Sequence, residues 1–123
     1  MKAGIRFHIR GEGERTELAI GPGKVALLEA IAQTGSITSA ARQLEMSYRR
    51  AWLLVDETNR CLVRPAVTTV AGGQKGGGTV LTPAGAELVR RYRALEHATE
   101  LAVGRKFKSM LRMLPSDKGP SGN

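Results

Sequence analysis

Two adjacent arginines in a short polar run are the residues of this sequence best suited to recognition chemistry. Arg49 and Arg50 follow Ser47 and Tyr48 in the run M-S-Y-R-R-A-W. A guanidinium can donate two parallel N–H bonds to guanine, and tyrosine can contact the DNA backbone or a thymine methyl group. The run therefore indicates a helix start that reads nucleic acid. Ser47 can serve as an N-cap, as a phosphate contact or as both, Tyr48 can instead be mainly packing, and Trp52 is expected to be buried.

The residues around this run have the pattern of two helices joined by a tight turn. Ser36 occupies an N-cap position, and apolar residues recur behind it at helical spacing. Glu45 and Met46 form the turn, and Ser47 caps the second helix. This arrangement describes a helix-turn-helix, whose second helix lies in the DNA major groove. Because the start of a helix attracts phosphate, Ser36 and Thr38 are predicted backbone contacts.

Two further elements are predicted on the N-terminal side. Apolar and charged residues alternate from Ile5 to Arg10, as in a half-buried strand, so residues 1–21 are predicted to form a β-hairpin or arm. A helix is predicted from Lys24, with Gly35 as its C-cap. This third helix would complete the core of the helix-turn-helix pair.

A wing is predicted on the C-terminal side. Pro65 ends the recognition helix, and residues 66–81 read as a strand, a glycine-rich loop and a returning strand. Lys75 is the loop cation and is a predicted contact to the minor groove or backbone, although a plain flexible connection is the alternative. A nucleotide-binding P-loop is rejected because Lys75 precedes glycines rather than Ser or Thr. Residues 22–82 are thus predicted to be a winged helix-turn-helix domain.

The longest predicted helix spans residues 83–114, with Thr82 as N-cap and Pro83 in the first turn. It has more apolar surface than one small core needs, so it is predicted to pair with its copy in a homodimer; packing on its own domain is the alternative. Residues 115–123 are expected to be a disordered tail. The fold class is mainly α with small β-hairpins. The predicted dimerisation residues are Leu88, Tyr92, Leu95, Thr99 and Ala102.

The composition is that of a basic globular chain. The 123 residues carry a formal net charge of +8 at pH 7, and 41% of them are hydrophobic while only 4% are aromatic. One modest domain with an aliphatic core follows from these values. The charge predicts an acidic partner, first nucleic acid and second a membrane surface, with a merely basic soluble protein as the alternative.

Cysteine and histidine usage does not support catalysis or metal binding. Cys61 is the only cysteine, which excludes an internal disulfide and a CxxC metal site. His8 and His97 are isolated, and Asp56 and Glu57 read as helix-surface acids. We expect no enzyme, no metal and no other cofactor. Without a signal-peptide pattern or a stretch that could span a bilayer, the chain is expected to be cytoplasmic and not to bind a membrane.

The run from residue 26 to residue 60, the glycine-rich wing and the following L-T-P-A-G resemble the N-terminal winged-helix domain of the ModE-type molybdate-responsive regulators. The chain is more distantly similar to LysR-type DNA-binding domains. The resemblance covers about residues 24–101. It implies a homodimer formed through the long helix with the N-terminal segment, a palindromic operator, and base and phosphate contacts from residues 47–50. Molybdate would be a ligand by family resemblance only, because residues 102–123 cannot hold the molybdate-binding domains of that family.

These observations together predict a sequence-specific DNA-binding transcription regulator. It would bind double-stranded DNA as a homodimer, with genes of molybdenum metabolism as targets. Two alternatives remain: a winged helix that binds DNA non-specifically or serves a protein partner, and a dimer that senses an oxyanion at its interface. The capped, polar first turn from Ser47 to Arg50 favours the first interpretation.

Overall fold

The computed structural model describes residues 8–10, 20–73 and 76–115, without the side chains of residues 71–77. Three helices, a two-stranded antiparallel hairpin and a long final helix follow one another, which confirms the predicted winged helix-turn-helix. Most predictions for the N-terminal arm, the contact of Lys75 and the disordered tail lie outside the described residues. The elements are α1 (Pro22–Thr34), α2 (Ile37–Gln43), α3 (Tyr48–Cys61), β1 (Val67–Gly73), β2 (Gly76–Leu81) and α4 (Pro83–Leu111).

Side-chain caps define where three helices begin. The Ser36 hydroxyl accepts a hydrogen bond from the Ser39 N–H at 3.1 Å, and the Ser47 hydroxyl accepts one from the Arg50 N–H at 3.1 Å. The Thr82 hydroxyl accepts the corresponding bond of α4 at 3.0 Å. Each cap satisfies a donor that the helix itself cannot pair and contributes about 1 kcal/mol. The predicted caps are therefore confirmed.

Several element ends differ from the predictions. α1 begins at Pro22 rather than Lys24, because proline at the first helical position lacks only an N–H that would be unpaired anyway. α3 ends at Cys61 rather than at Pro65, because the backbone of Leu62 is already extended. The two strands continue into the predicted glycine-rich loop, with a register shift between Val70 and Gly73.

The core lies between α1 and the helix-turn-helix. Small residues of α2 and α3 let both helices approach α1 closely, and β1 and α4 cover the remaining sides. Burial of each large aliphatic side chain contributes about 1.5–3 kcal/mol. The buried members of this core are Leu27, Leu28, Ala30, Ile31, Ala40, Ala41, Ala51, Val55, Ala66 and Val67.

A second, smaller cluster attaches α4 to the N-terminal side of α1. Tyr92 is buried against Ile20 and Val25. Ile20 also forms an antiparallel bridge with Ile9, with both N–H···O distances at 2.7 Å. This bridge is the described part of the predicted N-terminal hairpin. Among the described residues, no helix has the length and apolar character that crossing a bilayer requires.

Candidate nucleic-acid interface

The helix-turn-helix leaves the first turn of α3 on the surface. The turn before it contains Glu45, whose backbone is in the left-handed conformation with φ of 56°. On α3 itself, the face at Ala51, Val55 and Thr58 is buried. Thr58 is accommodated there because its hydroxyl donates to the Leu54 carbonyl at 2.7 Å. All side chains from Ser47 to Arg50 are exposed, as a surface that contacts DNA requires.

The two predicted guanine-binding arginines lie on different parts of this surface. Successive residues of an α-helix are rotated by about 100°, so Arg49 projects nearly opposite the buried Ala51–Val55 face. Arg50 projects toward the flank that carries Glu57, which pairs with the mostly buried Lys24 at 3.2 Å. Arg49 is consequently the more central of the two on the outer face of α3.

The prediction that Trp52 is buried is wrong. Its side chain is 49% exposed, and Tyr48 one turn earlier is 54% exposed. Trp52 lies about 100° around α3 from the buried Ala51, outside the face that packs on the core. The two aromatic residues therefore lie on the flank of α3 that faces the hairpin, together with Asn59.

Asn59 joins α3 to the hairpin and was not singled out from the sequence. Its side-chain oxygen accepts from the N–H groups of Ala66 at 2.8 Å and Val67 at 3.1 Å, and its amide nitrogen donates to the Val67 carbonyl at 3.1 Å. The hairpin is also joined to the α1–α2 connection by the Thr79 N–H, which donates to the Gly35 carbonyl at 2.9 Å. The Asn59 bonds thus join the start of β1 to the recognition helix, and the Thr79 bond joins β2 to the α1–α2 connection.

A groove of about 300 Å³ separates α3 from the hairpin. The predicted backbone contacts Ser36 and Thr38 line it together with Tyr48 and Trp52. Thr69 and Thr79 line the hairpin side. The structure thus brings together four of the predicted residues, Ser36, Thr38, Ser47 and Tyr48, around one end of the recognition helix, with Arg49 and Arg50 beside them.

The predicted dimerisation residues divide into two groups. Tyr92 is only 1% exposed and Leu88 is half-buried against both core clusters, so these two side chains are used within the subunit. Leu95 is 46% exposed, Ala102 is exposed, and Thr99 is half-buried. Farther along the same stripe of α4, Leu95, Thr99 and Ala102 therefore remain available for pairing, whereas Leu88 and Tyr92 serve the alternative of packing on the same domain.

The arginines in the first half of α4 are paired with carboxylates. Arg90 and Arg91 hydrogen-bond to Glu87 and lower the pKa of its carboxyl to about 2. Arg93 spans two helices, because it binds Glu29 of α1 through two bonds of 3.0 and 2.7 Å. It also binds Glu96 at 2.7 Å.

The described residues offer no metal site, since no group of three or more His, Cys, Asp or Glu side chains converges among them. Cys61, the only cysteine, lies half-buried at the end of α3 next to the Tyr92 cluster. Its position at a helix end agrees with the expectation of a small apolar residue.

The names of proteins with similar sequences refer to molybdenum or to transcription regulation. The chain is 43% identical over 104 residues to the molybdenum-pterin-binding protein MopB of Rhodobacter capsulatus, a match to 85% of this chain and 38% of that protein. It is 44% identical to the molybdenum transport protein ModE of Azotobacter vinelandii, over 71% of this chain and 32% of that one. It is 36% identical to the DNA-binding transcriptional dual regulator ModE of Escherichia coli K12, over 66% and 31%. No family model matches the chain.

A solved structure shows a similar fold. The full-length LysR-type regulator LysG of Corynebacterium glutamicum, with bound effector Arg, superposes with a TM-score of 0.52 at 20% identity, covering 78% of this chain and 31% of that one. The chain spans about a third of the length of the curated relatives it matches. The names of these relatives describe regulators and binding or transport proteins, in agreement with the expectation that the chain is not an enzyme.

Proposed function

We propose that this chain, which is homologous over most of its length to the ModE-type regulators, is a sequence-specific DNA-binding transcription regulator. The observation that carries the proposal is the exposed first turn of α3. Ser47 caps the helix, and Tyr48, Arg49 and Arg50 follow with their side chains in solvent. Such a turn can enter the major groove and place donors against base edges.

The remaining features supply affinity and orientation. The net charge of +8 attracts the phosphate backbone. Ser36 and Thr38 lie on one side of the groove beside α3 and the hairpin lies on the other, so both can contact backbone while α3 reads bases. Lys75, the loop cation in the sequence, is proposed as a further backbone contact.

We infer that the functional unit is a homodimer on an inverted repeat. Beyond Tyr92, α4 exposes Leu95 and Ala102 on the predicted stripe, and Leu101 and Met110 of the same helix are also exposed. Association of two copies through this helix would remove apolar surface from water and place two recognition helices on successive half-sites. The molybdenum-related names of the relatives suggest genes of molybdenum metabolism as targets.

An oxyanion site at the dimer interface is the weaker proposal. Arg90, Arg91 and Arg93 are already paired with carboxylates of the same subunit, so an anion would have to displace those carboxylates. A melting-temperature shift on addition of molybdate or tungstate would support this alternative. An unchanged melting temperature with intact DNA binding would eliminate it.

The test of the proposed function is selection of bound sites from a random DNA pool, followed by titration of the selected duplex and a scrambled duplex at two salt concentrations. An enriched inverted repeat, bound far more tightly than scrambled DNA by two copies of the chain in sedimentation, is expected. Steeply salt-dependent binding to all sequences without enrichment would instead indicate the non-specific winged helix.

A further inference from the structure

Trp52 forms an exposed ridge between the recognition helix and the hairpin. Its indole lines three surface grooves: about 300 Å³ toward Ser36 and Thr38, about 390 Å³ toward Asn59 and Thr68, and about 330 Å³ toward Tyr48 and Leu53. A single exposed apolar side chain requires no explanation. Trp52, however, lies where α3 meets the hairpin, the two elements that would contact a DNA strand from either side.

The surrounding structure determines this position. Trp52 is rotated by about 100° from Ala51, whose side chain is fully buried against the core, so the indole cannot turn inward without moving α3. The Asn59 hydrogen bonds hold β1 beside the same flank of α3, and Thr69 of β1 lines two of the grooves with Trp52. The indole therefore lies between α3 and β1, with about half of the residue exposed.

The lining of the two grooves that Trp52 shares with the hairpin distinguishes them as paths for a polyanion. The groove toward Ser36 contains hydroxyl groups from both α2 and the hairpin, and its lining residues include no carboxylate. The groove toward Asn59 contains the carboxylate of Asp56. The first groove therefore offers a phosphate several hydroxyl groups and no carboxylate, whereas the second contains a carboxylate that is already paired with Arg60.

We propose that Trp52 contacts the sugar–phosphate backbone of the DNA strand that passes between α3 and the hairpin. The ring packs against deoxyribose, and Nε1–H, which can only donate, binds a phosphate oxygen. The inference rests on the proposed function and assigns Trp52 a positioning contact that is independent of base sequence. Its role differs from that of Arg49, which is expected to discriminate between bases.

Fluorescence offers a direct test because Trp52 is the only tryptophan of the chain. The full chain is titrated with the selected duplex, and with the scrambled duplex at low salt, while the anisotropy of labelled DNA reports binding. Tryptophan emission and its quenching by acrylamide are recorded in the same samples. We expect emission to change and quenching to fall in step with binding of both duplexes.

The two hypotheses fail differently in this experiment. Binding by anisotropy with unchanged emission and unchanged quenching would refute the contact and leave the proposed function standing. Absence of binding to any duplex would refute both.

Variants separate a backbone contact from a base contact. Trp52→Ala is expected to weaken binding of both duplexes roughly tenfold, and Trp52→Phe, which keeps a ring but loses the N–H, by a smaller factor. The ratio between the two duplexes should not change. Val63→Ala is the matched control, since Val63 is fully exposed just beyond the end of α3 and should leave both affinities unaltered. Loss of affinity for the selected duplex alone would indicate a base contact and overturn the assignment.

Discussion

Replacement of Arg49 by alanine tests the proposed reading of base sequence most directly. Arg49 lies on the outer face of α3 and forms no ion pair with the described part of the chain, so its removal should change stability by no more than about 0.5 kcal/mol. A bidentate contact from arginine to guanine contributes about 1–3 kcal/mol of discrimination. The ratio of affinities for the selected and scrambled duplexes should therefore fall by roughly 5- to 150-fold.

Arg60→Ala is the matched control for the loss of one charge. Arg60 lies in the last turn of the same helix, and its ion pair with Asp56 at 3.2 Å joins two exposed side chains. Such a pair contributes little to stability. Any electrostatic loss in this variant should be shared by both duplexes and should lower the slope of log affinity against log salt by about one unit at most.

The assay is titration of labelled duplexes by fluorescence anisotropy at several salt concentrations, with thermal melting to verify the fold of each variant. Arg50→Ala should also relax base preference, by a smaller factor because Arg50 projects toward the Glu57 flank. An unchanged affinity ratio in both Arg49→Ala and Arg50→Ala would refute the assignment of α3 as the reading helix. Equal effects of Arg49→Ala and Arg60→Ala would refute a base contact from Arg49.

Other predictions concern stability, measured by urea unfolding. Asn59→Ala should lower the free energy of unfolding by about 2–4 kcal/mol because three hydrogen bonds to the hairpin are lost; no change would contradict that role. Gly85→Ala should cost about 1–3 kcal/mol, since its Cβ would lie 2.3 Å from the Ala66 oxygen. Gly104→Ala, with open space around the added Cβ, should instead stabilise α4 by about 0.5–1 kcal/mol. The ion pairs of Glu87 lower the pKa of its carboxyl from 4.5 to about 2. They therefore stabilise the folded protein above pH 4.5, and this stabilisation is lost as the pH falls toward 2. The small difference in the free energy of unfolding between the unmodified protein and the Glu87→Gln variant should therefore be constant from pH 7 to 5.5 and vanish toward pH 2. A difference that grows with acid would contradict the ion pair.

The features that could be predicted from the sequence arise from interactions between residues that are close together along the chain. A hydroxyl at Ser36, Ser47 or Thr82 caps a helix through an N–H only three residues later, so its role follows from local order alone. Gly35 ends α1 with φ of 71°, a conformation that glycine adopts without strain. The helix-turn-helix and the polar start of α3 are therefore recognisable from the order of the residues.

Contacts between distant segments were decided only by the tertiary structure. The sequence predicted a buried Trp52, but whether this flank of α3 is covered depends on the space that α1 and the hairpin leave. Tyr92 belonged to the stripe predicted for dimerisation, yet Ile20 and Val25 enclose it within the subunit. Arg93 binds Glu29, which is 64 residues away along the chain. Local sequence sets which faces are apolar and where helices begin, whereas packing determines which side chains remain for a partner, because that choice depends on volumes and charges brought together by folding.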